Sequence, residues 1–390
     1  MEEWKTYKLS EIGQVIGGAT PSTKVASNYD GDISWITPKD LSLLSGRYIY
    51  KGERSITNEG YNSCSCQMLP AGSILFSSRA PIGYIAIAGN ELCTNQGFKS
   101  IVPNKEIVNS HFLYYLLSYE KNRIAEMGSG TTFMEISGNV MKNIEVKLPP
   151  ISVQNKIAEI LTSLDEKIEN NQRINDNLEQ QAQAAFNHII SNTISDNTVK
   201  LSEIAWLNPK RTITKGTVAR SIEMAHLPTT GSFPSGWEMK EYNGGMKFQN
   251  GDTLMARITP CLENGKVAFV NFLEDDEIAF GSTEYITMTP KRQFAPEVLY
   301  FLVRNAEFID FAVKNMNGSS GRQRVSADTI GTYELPDITQ EELHALETIA
   351  KAALTKIKYN SLENMRLADM RDTLLPKLMS GELKINKIDC

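Results

Sequence analysis

The residues of this 390-residue chain best suited to chemistry are hydrogen-bonding groups in polar loops. In the first half they are Thr20, Ser22, Lys24, Lys39, Arg79 and Gln96, then Ser129, Thr131 and Thr132 in a Gly-Ser-Thr loop. In the second half they are Lys210, Arg211, Arg257, Thr283 and Ser319, then the run Arg322, Gln323, Arg324. Arg, Lys, Gln and Thr are the side chains that position proteins on phosphates and read base edges in the major groove. Any solvated loop can carry them, so recurrence is what strengthens the signal. Arg79 and Arg257 read as matched positions, and so do the Gly-Ser loops that follow in each half.

Catalytic patterns are missing from the same sequence. There is no G-x-x-x-x-G-K-[ST] for nucleoside triphosphates and no G-x-G-x-x-G after a strand. His111, His188, His226 and His344 are scattered, with His111 and His188 on predicted helices. Pro336-Asp337 with Glu382-Leu383-Lys384 mimics a nuclease pattern only by chance, because the pair brackets a whole helix. A stand-alone DNA methyltransferase would need N-P-P-[FYW] and a methyl-donor loop, but Pro149-Pro150 follows Leu148. The odd set Cys64, Cys66, Cys93, Cys261 and Cys390 has no C-x-x-C pair, which argues against a zinc site or disulfide framework and for a reducing cytoplasm. No apolar stretch approaches 18 residues, and MEEWKTYKLS lacks a signal-peptide layout.

The net charge is −6, with 14 basic and 14 acidic residues in 1–150 and 15 against 18 in 193–337. A protein held on nucleic acid by phosphate attraction alone carries an excess of Lys and Arg. Any nucleic-acid contact must therefore use local clusters or a partner.

The elements that position these loops repeat. Lys8-Leu9-Ser10-Glu11-Ile12 returns as Lys200-Leu201-Ser202-Glu203-Ile204, LFSSRAP (75–81) as LMARITP (254–260), and Leu148-Pro149 as Leu335-Pro336. A period of half the chain is too long for a solenoid and reads as a duplicated domain-plus-helix unit about a pseudo-two-fold axis. Each half reads as α+β. Strands are predicted at Ile33–Ile36, Ser73–Phe76, Tyr84–Ala88, Lys99–Val102, Thr253–Met255 and Lys266–Val270, and helices at His111–Ala125 and Pro296–Ala312.

A longer helix follows each half. Ser152 is placed to cap the first, and Thr339 with Glu342 forms a capping box for the second. Apolar residues in a 4-3-4 rhythm, from Ile157 to Ile189 and from Leu343 to Leu378, predict that the two helices pack on each other. Asn171 and Asn175 interrupt the first seam, and Asn360 and Asn364 interrupt the second at the same offset. Two-fold symmetry predicts an antiparallel pair that separates the two domains, about 39 residues and roughly 58 Å long. Gly381 is placed to end the last helix. The predicted division is 1–150, a domain; 151–192, a spacer helix; 193–337, a second domain; 338–390, a spacer helix and tail.

The chain resembles the specificity (S) subunits of Type I restriction-modification enzymes over nearly its whole length. The resemblance rests on the KLSEI starts, on Leu148-Pro149-Pro150-Ile151-Ser152-Val153-Gln154, and on the run from Arg371 to Leu383, RDTLLPKLMSGEL. It implies two target-recognition domains on antiparallel helices, each reading half of a split double-stranded DNA target. It also implies a non-catalytic, cytoplasmic subunit that docks two methyltransferase (modification) subunits and later restriction subunits. S-adenosylmethionine and ATP with Mg would belong to those partners, with no cofactor in this chain. A coiled-coil scaffold without a nucleic-acid role is the alternative.

Overall fold

The KLSEI segments open each half in the same way. Lys5–Lys8 pairs antiparallel with Glu145–Leu148, Lys8 facing Glu145, and Thr198–Lys200 pairs with Glu334–Pro336, Lys200 facing Glu334. In both, the Leu after the strand donates its N–H to the turn before the closing strand, Leu9 to Ile144 and Leu201 to Tyr333. Each half is thus closed by its own first and last strands.

The computed structural model describes residues 4–129, 134–193, 195, 197–291, 294–319 and 321–384. It divides into two units, Met1–Glu169 with Leu367–Cys390, and Asn170–Arg366. In the first unit a sheet runs in the order Gly13–Gly17, Lys99–Pro103, Ile74–Ser78, Ile82–Ala88, Tyr48–Ile49. In the second the order is Ala205–Leu207, Tyr285–Pro290, Thr253–Ala256, Val267–Phe269. The first four strands correspond one to one, which establishes the duplication in three dimensions. The accessory sheets differ, with three strands around Tyr29–Ile36 and four around Val218–Ile222.

The apolar runs bury as their periodicity requires. Phe112, Leu113, Leu116 and Leu117 on the helix Ser110–Glu126 pack on Ile74, Phe76 and Ile101 of the sheet. The helix expected over Pro296–Ala312 is two, Pro296–Val303 and Ala306–Lys314. Asn305 breaks it, because its side-chain oxygen caps the N–H groups of Glu307 and Phe308.

The long helices are Ile151–Asn192 and Gln340–Met379. The capping box at Thr339 forms, with Glu342 Oε2 accepting from the Thr339 N–H at 2.8 Å and Thr339 Oγ1 accepting from the Glu342 N–H at 3.2 Å. Ser152 does not cap, since the Pro150 carbonyl already accepts from Val153 and Gln154 at the helix start. Gln154 instead is buried and bonds the carbonyls of Ile107 and Pro149 and the Asn109 N–H, joining the helix to its domain. Gly381 ends the last helix at φ 75°, the left-handed conformation that favours glycine.

Within the Asn170–Arg366 unit the two helices pack antiparallel. Leu343, Leu346, Ala350, Ala353 and Ile357 share a core with Ala182 and Phe186. The asparagines meet as their spacing requires, Asn171 Nδ2 donating to Asn364 Oδ1 at 2.9 Å and Asn360 Nδ2 to Asn175 Oδ1 at 2.8 Å. Asn171 and Asn360 are buried. Buried amides in a seam fix register at a cost in stability. Replacing all four with Leu should therefore hold or raise the melting temperature while allowing more than one helix register, read by cysteine cross-linking along the seam. A fall in melting temperature with a single register retained would show that the amides stabilise rather than specify. No described helix is long and apolar enough to cross a membrane.

Candidate nucleic-acid interface

In the first unit the strand Ile74–Ser78 runs into Arg79, and three backbone segments are tied together there. Ser78 donates its N–H to Gly97 O at 2.7 Å and accepts from Ile136 N at 2.9 Å, while Ser129 and Glu135 exchange N–H bonds at 3.1 Å. On this frame the Glu135 carboxylate lies between two cations, 3.6 Å from Arg79 Nη1 and 3.3 Å from Lys99 Nζ. Beside it, Thr20 and Gln96 hydrogen-bond through their side chains. The Ala19–Pro21 backbone is held from below by Trp35 Nε1, which donates to Ala19 O, and by the Tyr29 hydroxyl, which donates to Pro21 O. Ser22 and Lys24 are exposed on the turn that follows. Lys39 is also exposed and makes a surface ion pair with Glu53.

The second unit builds the same frame. Arg257 donates its N–H to Glu284 O at 3.0 Å and accepts from Val325 N at 3.0 Å, and Ile258 bridges to Arg324 as Arg79 bridges to Glu135. This frame corrects the matching of Arg79 with Arg257. The counterpart of Arg257 is Ser78, that of Arg79 is Ile258, and that of Arg324 is Glu135. The strand-end arginines are one residue apart, so their side chains leave the strand on opposite sides. Yet a carboxylate again lies among cations. Arg324 donates through Nε and Nη2 to Glu284 at 2.9 and 2.7 Å. These bonds, with the charge of Arg257 adding to them, hold Glu284 below the usual carboxylate range. Arg257 is half-buried, with its Nε enclosed and lacking a hydrogen-bond partner among the described residues.

The other expected residues divide. Thr283, Ser319 and Arg322 are exposed around this cluster, and the Gln323 N–H donates to Thr259 Oγ1 at 3.1 Å. Lys210 is exposed, but Arg211 is not available to a ligand. Its side chain is 7% exposed and bonds Asp252, Thr289 and Gln249 at the other end of the Thr253–Ala256 strand from Arg257. The local pattern Lys-Arg could not separate these two neighbours; the burial of Asp252 decides it. Thr131 and Thr132 lie outside the described residues. Residue type and spacing do not mark Lys99 or Glu135. Lys99 reads as an ordinary strand residue, and only the fold brings it to Glu135.

Two repeated halves, each presenting a frame of hydrogen-bonding cations at a strand end, make up a protein of duplicated α+β design. Residues 1–180 match the Type I restriction modification DNA specificity domain. The chain is 31% identical to the Type I restriction enzyme MjaIX specificity subunit of Methanocaldococcus jannaschii, over 99% of this chain and 95% of that one. It is 23% identical to the HindI specificity subunit of Haemophilus influenzae, over 98% of this chain and all of that one. A crystal structure of a Type I S subunit from M. genitalium shares the fold, with TM-score 0.64, 15% identity and 96% of each chain covered. The chain belongs to the specificity subunits of Type I restriction enzymes.

Proposed function

We propose that this chain is the DNA-reading subunit of a Type I restriction-modification system, recognising a bipartite target with one half-site per α+β domain. The supporting observation is the recurrence of one frame carrying different residues, Arg79, Lys99 and Glu135 in the first domain and Arg257, Glu284 and Arg324 in the second. A shared frame keeps the mode of approach to DNA, while exchanged side chains change what is read. The chain is not itself an enzyme. It assembles with two methyltransferase subunits and with restriction subunits in the cytoplasm, and these bring S-adenosylmethionine and ATP with Mg. The net charge of −6 fits this division, because the partners then supply much of the phosphate attraction.

Modularity is the test. Exchanging residues 1–150 for the corresponding domain of another specificity subunit should change one half of the methylated target and leave the other half intact, as read by mapping methylated bases in the host genome. If both halves changed together, the two-module reading would be wrong.

A further inference from the structure

Glu284 is out of place on a surface meant only to attract phosphates. Its charge opposes DNA, and it neutralises one of the two arginines beside it. The geometry gives a reason. Arg has five N–H donors in a rigid planar fork. In Arg324, Nε and one N–H of Nη2 are bound to Glu284, and one N–H of Nη1 donates to Arg322 O at 3.2 Å. Among the described residues two N–H groups remain without a partner, one on each terminal nitrogen, on a side chain that is 40% exposed. With the Arg322 bond made by the Nη1 hydrogen on the Cδ side, that pair shares the Nη1–Nη2 edge and forms the donor fork that matches the O6 and N7 acceptors of guanine in the major groove.

We propose that Glu284 is a positioning residue for specificity, holding the Arg324 guanidinium so that its free edge reads a guanine in the second half-site. The inference rests on the DNA-recognition reading above and deepens it. A carboxylate that orients an arginine lowers overall attraction and raises selectivity, because a fixed fork accepts one acceptor pattern where a free one accepts many. Arg257 sits close enough to Glu284 to help hold its proton off, so the carboxylate stays charged. The first domain arrives at the same arrangement with non-equivalent residues: Glu135 lies between Arg79 and Lys99, although its backbone counterpart in the second domain is Arg324. Descent from one ancestral pair would have kept acid and base at equivalent positions. Recurrence through different positions points to a requirement of the site.

The experiment uses the chain in complex with its methyltransferase subunits and the wild-type target obtained from methylation mapping. Competition binding compares that duplex with single-base substitutions and with unrelated DNA. Glu284→Ala should bind unrelated DNA as tightly as wild type or several-fold tighter. It should lose at least tenfold in discrimination at one guanine of the second half-site, with the first half-site unchanged. Arg324→Lys, which keeps the charge and removes the fork, should lose discrimination at the same base, and it carries the test if Glu284→Ala does not fold. Unchanged discrimination in either folded variant, or an equal loss on all sequences with a shallower salt dependence, would overturn the proposal and make Arg324 a phosphate contact. A wild-type complex that bound all sequences equally would instead defeat the DNA-recognition reading itself.

Discussion

Asp252→Ala should destabilise the second unit by about 3–5 kcal/mol, the range for removing one partner of a buried ion pair. The Asp252 side chain is fully buried, and its oxygens accept from Arg211 Nη2 at 2.8 Å, Thr289 Oγ1 at 2.5 Å and Gln249 N at 2.8 Å. Truncation strands the largely buried Arg211 guanidinium without its counter-charge. Arg211→Ala should do the same in reverse, and its effect should appear in urea melts rather than in DNA affinity. Burial pushes the Asp252 carboxyl up from its ordinary pKa despite the pull of Arg211, so desolvation outweighs the attraction. Buried ion pairs in general recover little more than their desolvation cost, so Arg211→Met combined with Asp252→Leu should return most of the loss. A double variant as unstable as Asp252→Ala would show that the pair stabilises outright. An Arg211→Ala protein of normal stability that had lost DNA binding would restore Arg211 to the interface.

This pair marks where the sequence stops being legible. The duplication, the α+β halves and the paired helices could be read because each depends on local pattern: repeated words, strand alternation, heptads, and asparagines at a constant offset. Thr339 with Glu342 was readable for the same reason, since a capping box spans four residues. The break at Asn305 was not, because helical periodicity continues through it and only the amide's competition for the backbone ends the helix. The candidate interface was half legible. Residue types marked Arg79, Arg257 and Arg324, but pairing is set by long-range register. Lys99 meets Glu135 across 36 residues, and Arg324 meets Glu284 across 40. The one-residue offset between Arg79 and Arg257 is already present in the repeated words LFSSRAP and LMARITP, and the bonds from Ser78 and Arg257 to their neighbouring strands fix it in the fold.

Lengthening both helices should move the preferred target rather than abolish recognition. Four helix-forming residues placed after Asn175, with four more before Asn360, keep both asparagine layers intact and lengthen the pair in step. Coiled coils absorb a four-residue insertion as a local unwinding. The insertion adds about 6 Å of rise, and at 3.6 residues per turn it rotates whatever follows by about 40° beyond a full turn. One base pair adds about 3.4 Å, and with 10–10.5 base pairs per turn it rotates the next half-site by about 35°. The rotations nearly match for one added base pair, and the domains must face their half-sites squarely to read them. If the helices set the gap, the variant should prefer a spacer longer by about one base pair. On the original spacing only one half-site can engage at a time, so affinity should fall toward the non-specific level, about 10³-fold or more below specific binding. The measurement is competition binding by the complex with methyltransferase subunits, across duplexes whose half-sites are constant and whose spacers differ by single base pairs. An unchanged optimum, with both inserted helices verified by circular dichroism and a normal melting temperature, would mean that the gap is fixed elsewhere, in the partner subunits or in the DNA. A broad loss of spacer preference without a new optimum would show a helix pair that tethers the domains without measuring the distance between their half-sites.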